Sequence, residues 1–438
     1  MSELARAVLA DVIAAVEEGG RMLAAEFSTP AGPRGGEHKA PIDKEIELML
    51  RPRLLALIPG RFIGEEDGIV EAPGAEYVWA VDPQDGTKAF GEGRRGSAVS
   101  VGLLRHGVPV MGVVFAPTSP DRGPDMIAWA EGQTAILRNG EEVRHDLTDM
   151  ELAPETIVLL NHTSGLRPLT ASGRVAPARY VPMPSIAYRL ARIAVGDSVG
   201  TMSLNTITTL DYAAGHALLR AVGGVLTDGA GRPITYTDAG DSEAVGCFGG
   251  APRVVAALSQ RSWRGSSEPR RDWRVTLSWP RAVEDRALDR ALGAMLGLLI
   301  GDGDDTGQPD SAGEAAITVA RALLAGETAP DGGASGSVPR GILGDVSNPL
   351  AAAVSAGIGG ADLGTVREIA GDPRDPALAA ALLGAATGRR AFTAGQTLAV
   401  MACRPDVGLG VARPRPDMLW PDDVIDIAES LLLRRKPC

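Results

Sequence analysis

Asp82-Pro83-Gln84-Asp85-Gly86-Thr87, reached through the apolar run Tyr77-Val78-Trp79-Ala80-Val81 and preceded by Gly64-Glu65-Glu66, organises this chain. A short strand that empties into two carboxylates around a proline suits a hard divalent ion. Such an ion wants several oxygen ligands in fixed geometry, and a strand end holds side chains more firmly than a loop does. Asp82 and Asp85 can face one site, and Glu65, from the end of a neighbouring strand, can add a third carboxylate. Pro83 stiffens the turn and removes a backbone donor. Gly86 allows close backbone approach, and Thr87 can open a helix whose free amides favour phosphate. Acidic residues beside Pro and Gly serve a solvated turn equally well, so the hexapeptide by itself has two equal readings.

Outward from this stretch the apolar spacing defines the flanking elements. Leu4, Val8, Val12, Val16, Leu23 and Phe27 form the stripe of an amphipathic helix over 3–27. A Gly/Pro loop over 28–36 follows. Lys39 and Asp43 then lead into a second helix, with Ile46, Met49, Leu50, Leu54 and Leu57 on one face and Pro59-Gly60 as its stop. Arg61 to Gly64 reads as a strand delivering Glu65. Residues 96–105 and 108–115 read as a hairpin turning at His106-Gly107. Further sheet is expected at 128–130 and at 135–137, where Asn139-Gly140 closes it. This half is α+β in pattern. From Glu155 onward strands and helices alternate: strands at 156–160, 198–204 and 244–248, helices at 186–194, 212–222 and 253–258. That pattern suggests an α/β second half. Asp211 opens the helix that stops at Gly223-Gly224; alone, it reads better as a partner of the helix dipole, with Thr208 or Thr209 as the cap.

Composition narrows the function classes. A net charge of −12 gives no cationic surplus for a nucleic acid polymer or an anionic membrane surface. No run reaches the roughly 18 apolar residues of a membrane span. The acidic residues Glu3, Asp11, Glu17 and Glu18 sit within the first helix, unlike a signal peptide, so a cytoplasmic location is expected. The three cysteines, Cys247, Cys403 and Cys438, are far apart and suggest neither a disulfide framework nor a zinc site. No two of the five histidines are closely spaced.

Gly64-Glu65-Glu66, then Trp79 to Thr87, then Leu210-Asp211-Tyr212-Ala213-Ala214-Gly215 and Ala221-Val222-Gly223-Gly224 resemble, in order, the signatures of the inositol monophosphatase superfamily. The resemblance spans residues 1–258 and implies a layered α/β sugar-phosphatase fold. It further implies a Mg2+-dependent phosphomonoesterase with two or three ions, acting on a small phosphorylated sugar, inositol or nucleotide. By that likeness Asp82 bridges two ions, Glu65 and the Gln84 carbonyl complete the first, and Asp85 with Asp211 hold the second. The amides of Gly86 and Thr87 grip the phosphate, and Thr87 with Glu65 orients water. Asp43 matches a carboxylate near a third ion, where its own position equally suits a helix-start Asp; Lys39 matches a basic residue on the loop before it. Asp85-Gly86-Thr87-Lys88, with Phe90, is closer to the 3'(2'),5'-bisphosphate nucleotidases. Lys88 then reads either as a contact to a second phosphate or as an exposed helix lysine. Leu204-Asn205 stands where inositol phosphatases often place an acid, and Leu210 replaces a common Trp. A homodimer is one assembly that the family admits.

Residues 259–280 are an Arg/Ser-rich linker, and 281–438 read as a mainly α-helical domain. Asp289 to Asp302, Asp304-Asp305-Thr306 and Ser347-Asn348-Pro349-Leu350 resemble parts of the ADP-ribosylglycohydrolases. A second Asp-rich motif is missing, which implies a reduced, degenerate relative. Its alternatives are ADP-ribosyl hydrolysis and a non-catalytic docking or dimerisation module.

Overall fold

The computed structural model describes residues 3–29, 33–35, 40–120 and 123–267. The readings made for Lys39, for the linker beyond residue 267 and for the C-terminal region lie outside these residues. In the first half, α1 (Glu3–Phe27) and α2 (Pro41–Leu57) precede β1 (Arg61–Gly64), β2 (Ile69–Val70), β3 (Tyr77–Asp85) and the short α3 (Thr87–Gly91). Then come β4 (Ala98–Arg105), β5 (Val108–Ser119), β6 (Gly123–Ala130), β7 (Ile136–Arg138) and β8 (Glu141–Val143). The eight strands form one sheet in the order β2-β1-β3-β4-β5-β6-β7-β8, antiparallel except where β1 runs parallel to β3. The β4–β5 turn is the expected one, with His106 and Gly107 both at positive φ.

The second half comprises β9 (Ile157–Leu160), α4 (Pro168–Val175), β10 (Arg179–Pro182), α5 (Ile186–Ala194), β11 (Gly200–Thr208) and α6 (Thr209–Ala221). It closes with β12 (Val225–Asp228), β13 (Glu243–Gly250) and α7 (Pro252–Ser259). Its five-stranded sheet has the order β10-β9-β11-β13-β12, in which β10, β9 and β11 are parallel. Strands β8, β10 and β12 and helix α4 carry too little periodicity to stand out in the sequence. Gly223, at φ 74°, ends α6 as the sequence implied.

Helices α1 and α2 cover one face of the large sheet, and α5 with α6 fills the space between the two sheets. Leu9, Val12, Val16, Leu23, Ile46 and Leu50 pack with Trp79, Val101, Met111 and Val113 into one core. The Trp79 indole N–H donates to the Ile58 carbonyl at 2.9 Å, tying the end of α2 to β3. On the opposite face α6 comes very close. Gly102 and Gly112 pair across β4 and β5, and a Cβ on either would overlap Ala213 or the Ala214 carbonyl. Both faces of β3 and β4 are therefore buried, so these strands are apolar almost throughout rather than alternating. No helix among the described residues is long and apolar enough to cross a membrane.

Candidate active site

The hexapeptide is not a turn. Strand β3 continues through Pro83 to Asp85, and its pairing with β4 is irregular between Asp82 and Asp85. Pro83 and Gln84 together oppose a single residue, the signature of a bulge, where a proline without a ladder hydrogen bond is tolerated. The extra residue has a chemical effect. Side chains three apart on a regular strand point to opposite faces, and one bulged residue restores them to the same side.

Asp82, Asp85 and Asp211 accordingly converge, each offering a carboxylate oxygen within 4.8 Å of the others. Asp82 is buried and one of its oxygens accepts the Gln84 N–H at 2.8 Å. Asp85 is buried at the start of α5, where one oxygen accepts both the Ser185 hydroxyl and the Ala187 N–H at 2.6 Å. Ser185 is also the N-cap of that helix, accepting the Tyr188 N–H at 2.9 Å. Asp211 lies in the first turn of α6, accepting the Thr208 N–H at 2.6 Å. The helix-cap reading and the cluster reading of Asp211 therefore hold together.

The electrostatics are those of a concentrated negative site. Burial, then the charges of Glu65, Asp85 and Asp211, push the Asp82 carboxyl well above its ordinary range. Burial and Asp211 push Asp85 up to about 7, against the pull of Ser185, Ala187 and Arg189. Asp211 is raised by burial. Glu65, exposed on the loop after β1, is raised by partial desolvation and by Asp211, while a hydrogen bond with Asp82 opposes the rise. Asp43 is buried, has one carboxylate oxygen without a hydrogen-bond partner, and is driven to about 8 by burial and by Glu65. All five acids are raised, and the three that converge, Asp82, Asp85 and Asp211, present hard carboxylate oxygens at a spacing that fits a divalent ion.

The Thr87 hydroxyl donates to the Gln84 carbonyl at 2.9 Å, which leaves that oxygen a second lone pair and the hydroxyl its own acceptor capacity. The Gln84 side chain is fully buried and neither amide atom has a hydrogen-bond partner among the described residues. Gly86 is at φ 100°, where its freedom is needed, and Thr87 opens α3. Lys88 is solvent-exposed on α3, and Leu204 is exposed at the irregularity in β11. Leu210 packs against the small apolar cluster of Ile63, Val78, Ala80, Leu104 and Ala213.

Sequence reasoning missed Ser185 and Arg189. Arg189 is buried and donates to the Thr201 hydroxyl at 2.9 Å and the Met202 carbonyl at 2.7 Å. Burial lowers its guanidinium to about 10 despite the nearby Asp85. Ser185 could have been found from the N-cap preference for serine before an apolar helix. A buried arginine has no such local signal.

Comparison with known proteins gives a consistent picture. The inositol monophosphatase family model matches residues 4–260. A probable inositol 1-monophosphatase, ImpA of Mycobacterium tuberculosis, is 32% identical over 243 residues, covering 51% of this chain and 82% of that protein. The inositol-1-monophosphatase of Bacillus subtilis is 31% identical over 214 residues, covering 45% of this chain and 74% of its own length. The 3'(2'),5'-bisphosphate nucleotidase CysQ of Escherichia coli is 28% identical over 162 residues, covering 37% of this chain and 63% of that protein.

Proposed function

The chain belongs to the inositol monophosphatase family, and we propose that residues 1–258 hydrolyse a small phosphorylated compound with the help of Mg2+. The observation that carries this reading is the convergence of Asp82, Asp85 and Asp211 through the β3 bulge. When bound, Mg2+ would supply charge neutralisation, an acidified water and stabilisation of the leaving oxygen. The residues that would hold the metal are Asp82, Asp85 and Asp211, with Glu65 and the Gln84 carbonyl. Asp43, buried and one oxygen short of partners, suits a third position. The Gln84 carbonyl can serve while it accepts the Thr87 hydroxyl, through its second lone pair.

The phosphate is bound by the amides of Gly86 and Thr87 at the start of α3. Glu65 and Thr87 orient the attacking water, Thr87 through an oxygen that can accept from the water while donating to the Gln84 carbonyl. Asp85 needs no reorganisation, because Ser185 and Ala187 already fix one of its oxygens. Arg189 offsets part of the local negative charge without approaching the solvent.

The substrate class is a small phosphate ester. Exposed Leu204, rather than an acid, disfavours recognition of a ring of hydroxyls, and the Asp85-Gly86-Thr87-Lys88 sequence is similar to that of the bisphosphate nucleotidases; both support a bisphosphate nucleotide over an inositol phosphate. The domain plan that accompanies this reading is a linker over 259–280 and a helical, degenerate domain over 281–438. Phosphate release from inositol phosphates, sugar phosphates and bisphosphate nucleotides, with and without Mg2+, tests the proposal. No Mg2+-dependent release from any of them overturns it.

A further inference from the structure

We propose that Glu47 is a positioning residue that latches the acidic loop after β1 and so sets where Glu65 stands relative to Asp82. The inference rests on the reading of Glu65 as part of the metal and water site. Glu47 lies on the inner face of α2 and is 0% exposed. A carboxylate so buried is costly unless every oxygen is satisfied. Here one oxygen accepts the Glu66 N–H at 2.7 Å, and the other accepts the Asp67 N–H at 3.0 Å and the Arg51 guanidinium at 2.6 Å.

The loop is shaped around this carboxylate. A Cβ on Gly64 would overlap the Glu47 carboxyl group, so glycine at that position lets the acid come against the backbone. The Gly64 N–H donates to the Gly68 carbonyl at 3.1 Å and closes the loop on itself. Outside, Arg51 and Lys44 each reach Asp67 at 3.2 Å. Glu65 is thus carried between two anchored points, Gly64 on the strand and Glu66 on the latch. Its side chain is exposed while its backbone is pinned. Groups that orient ligands in this way typically alter metal affinity or activity about 10–100-fold when removed.

The test compares the full chain with Glu47→Gln, Gly64→Ala and the double variant. Glu47→Gln keeps the shape but sets an amide N–H against a backbone N–H. Peptides covering 64–68 should then exchange amide hydrogens at least about tenfold faster. The Mg2+ concentration for half-saturation, read by calorimetry and by activity, should rise about 10–100-fold. The fall should appear in kcat, with KM for the substrate held within about twofold, since the latch touches no substrate-binding group. Gly64→Ala should reproduce the effect, and the double variant should be no worse than either single one, because both break one contact.

Unchanged exchange at 64–68 in Glu47→Gln overturns the proposal, as does an unchanged Mg2+ requirement once the loop has loosened. Should the variants fail to fold, residue-resolved exchange in the wild-type protein decides: slow exchange at Glu66 and Asp67 supports the latch, and unprotected exchange ends it. A wild-type protein that releases no phosphate would remove the phosphatase reading instead. Calorimetric Mg2+ binding and loop exchange would still decide the latch.

Discussion

Asp82 and Asp85 stand three positions apart on β3, while their partners on β4, Ser100 and Ala98, stand only two apart. That mismatch is the bulge, and it brings two buried carboxylates to one side of the sheet, where Asp211 joins them from α6. Burial of three acids together is unfavourable for the bare protein, so the site and the stability of the fold are in tension.

Asp82→Asn should therefore separate the two. It removes the central carboxylate, and Mg2+-dependent phosphate release should fall by more than the roughly 100-fold that outer partners of such a site cost. In metal-free buffer the same variant should melt above the wild type, because an acid whose ionisation is disfavoured in the fold, by burial and by Glu65, Asp85 and Asp211, has gone. Paired thermal melts, with and without Mg2+, check this: the wild type should gain stability from the ion and the variant should not.

Mg2+ binding should weaken as pH falls through about 7, the region to which Asp85 is raised by burial and Asp211. The sign follows from competition, since a carboxyl that holds its proton more tightly gives up the metal at higher pH. Ser185→Ala removes a hydrogen bond that favours the ionised form. The acidic limb of calorimetric Mg2+ affinity should then move to higher pH, and a shift to lower pH would contradict the arrangement.

Gln84→Leu should stabilise the protein by about 1–3 kcal/mol, the usual cost of a buried polar group left without partners. Gln84 is fully buried and both its side-chain polar atoms lack hydrogen-bond partners among the described residues. Chemical denaturation of the two proteins measures the difference, and a loss of stability would show that the amide is satisfied in solution.

His216 should impose an acid sensitivity of its own. Its Nδ1 lies 3.0 Å from the Tyr236 hydroxyl, and burial with the adjacent Arg220 lowers it to about 4. Between the ordinary value near 6.5 and about 4, the unfolded chain binds the proton and the folded one does not. Stability is therefore complete above pH 6.5 and declines as pH falls toward 4, by up to about 3 kcal/mol. His216→Gln should flatten that part of the stability profile, as followed by urea midpoints between pH 4 and 7.

Much of the architecture was legible because it is written in local periods. The helix over 3–27, whose buried face includes Val12, Val16, Leu23 and Phe27 but Leu9 in place of exposed Leu4, the positive-φ pair His106-Gly107, the helix Ile186–Ala194 and the stop at Gly223 each depend on residues within a few positions of one another. The acids of the site were picked out by the family likeness of their order, since alone the hexapeptide read equally as a solvated turn and Asp211 better as a partner of the helix dipole. Hidden were β10, α4 and β12, which are short and owe their conformation to pairing or packing with distant segments.

The amino-acid sequence by itself determined which acids are available, which helices and strands carry them, and the family likeness of their order. Only the tertiary structure decided that Asp82 to Thr87 is a bulged strand end, that Asp85 is met by Ser185 and Ala187, and that Glu47 lies beneath the Glu65 loop. The reason is physical. Helix and strand propensities act over a few residues, whereas a bulge is a property of two strands in register, and a buried carboxylate finds its donors only once distant segments have packed.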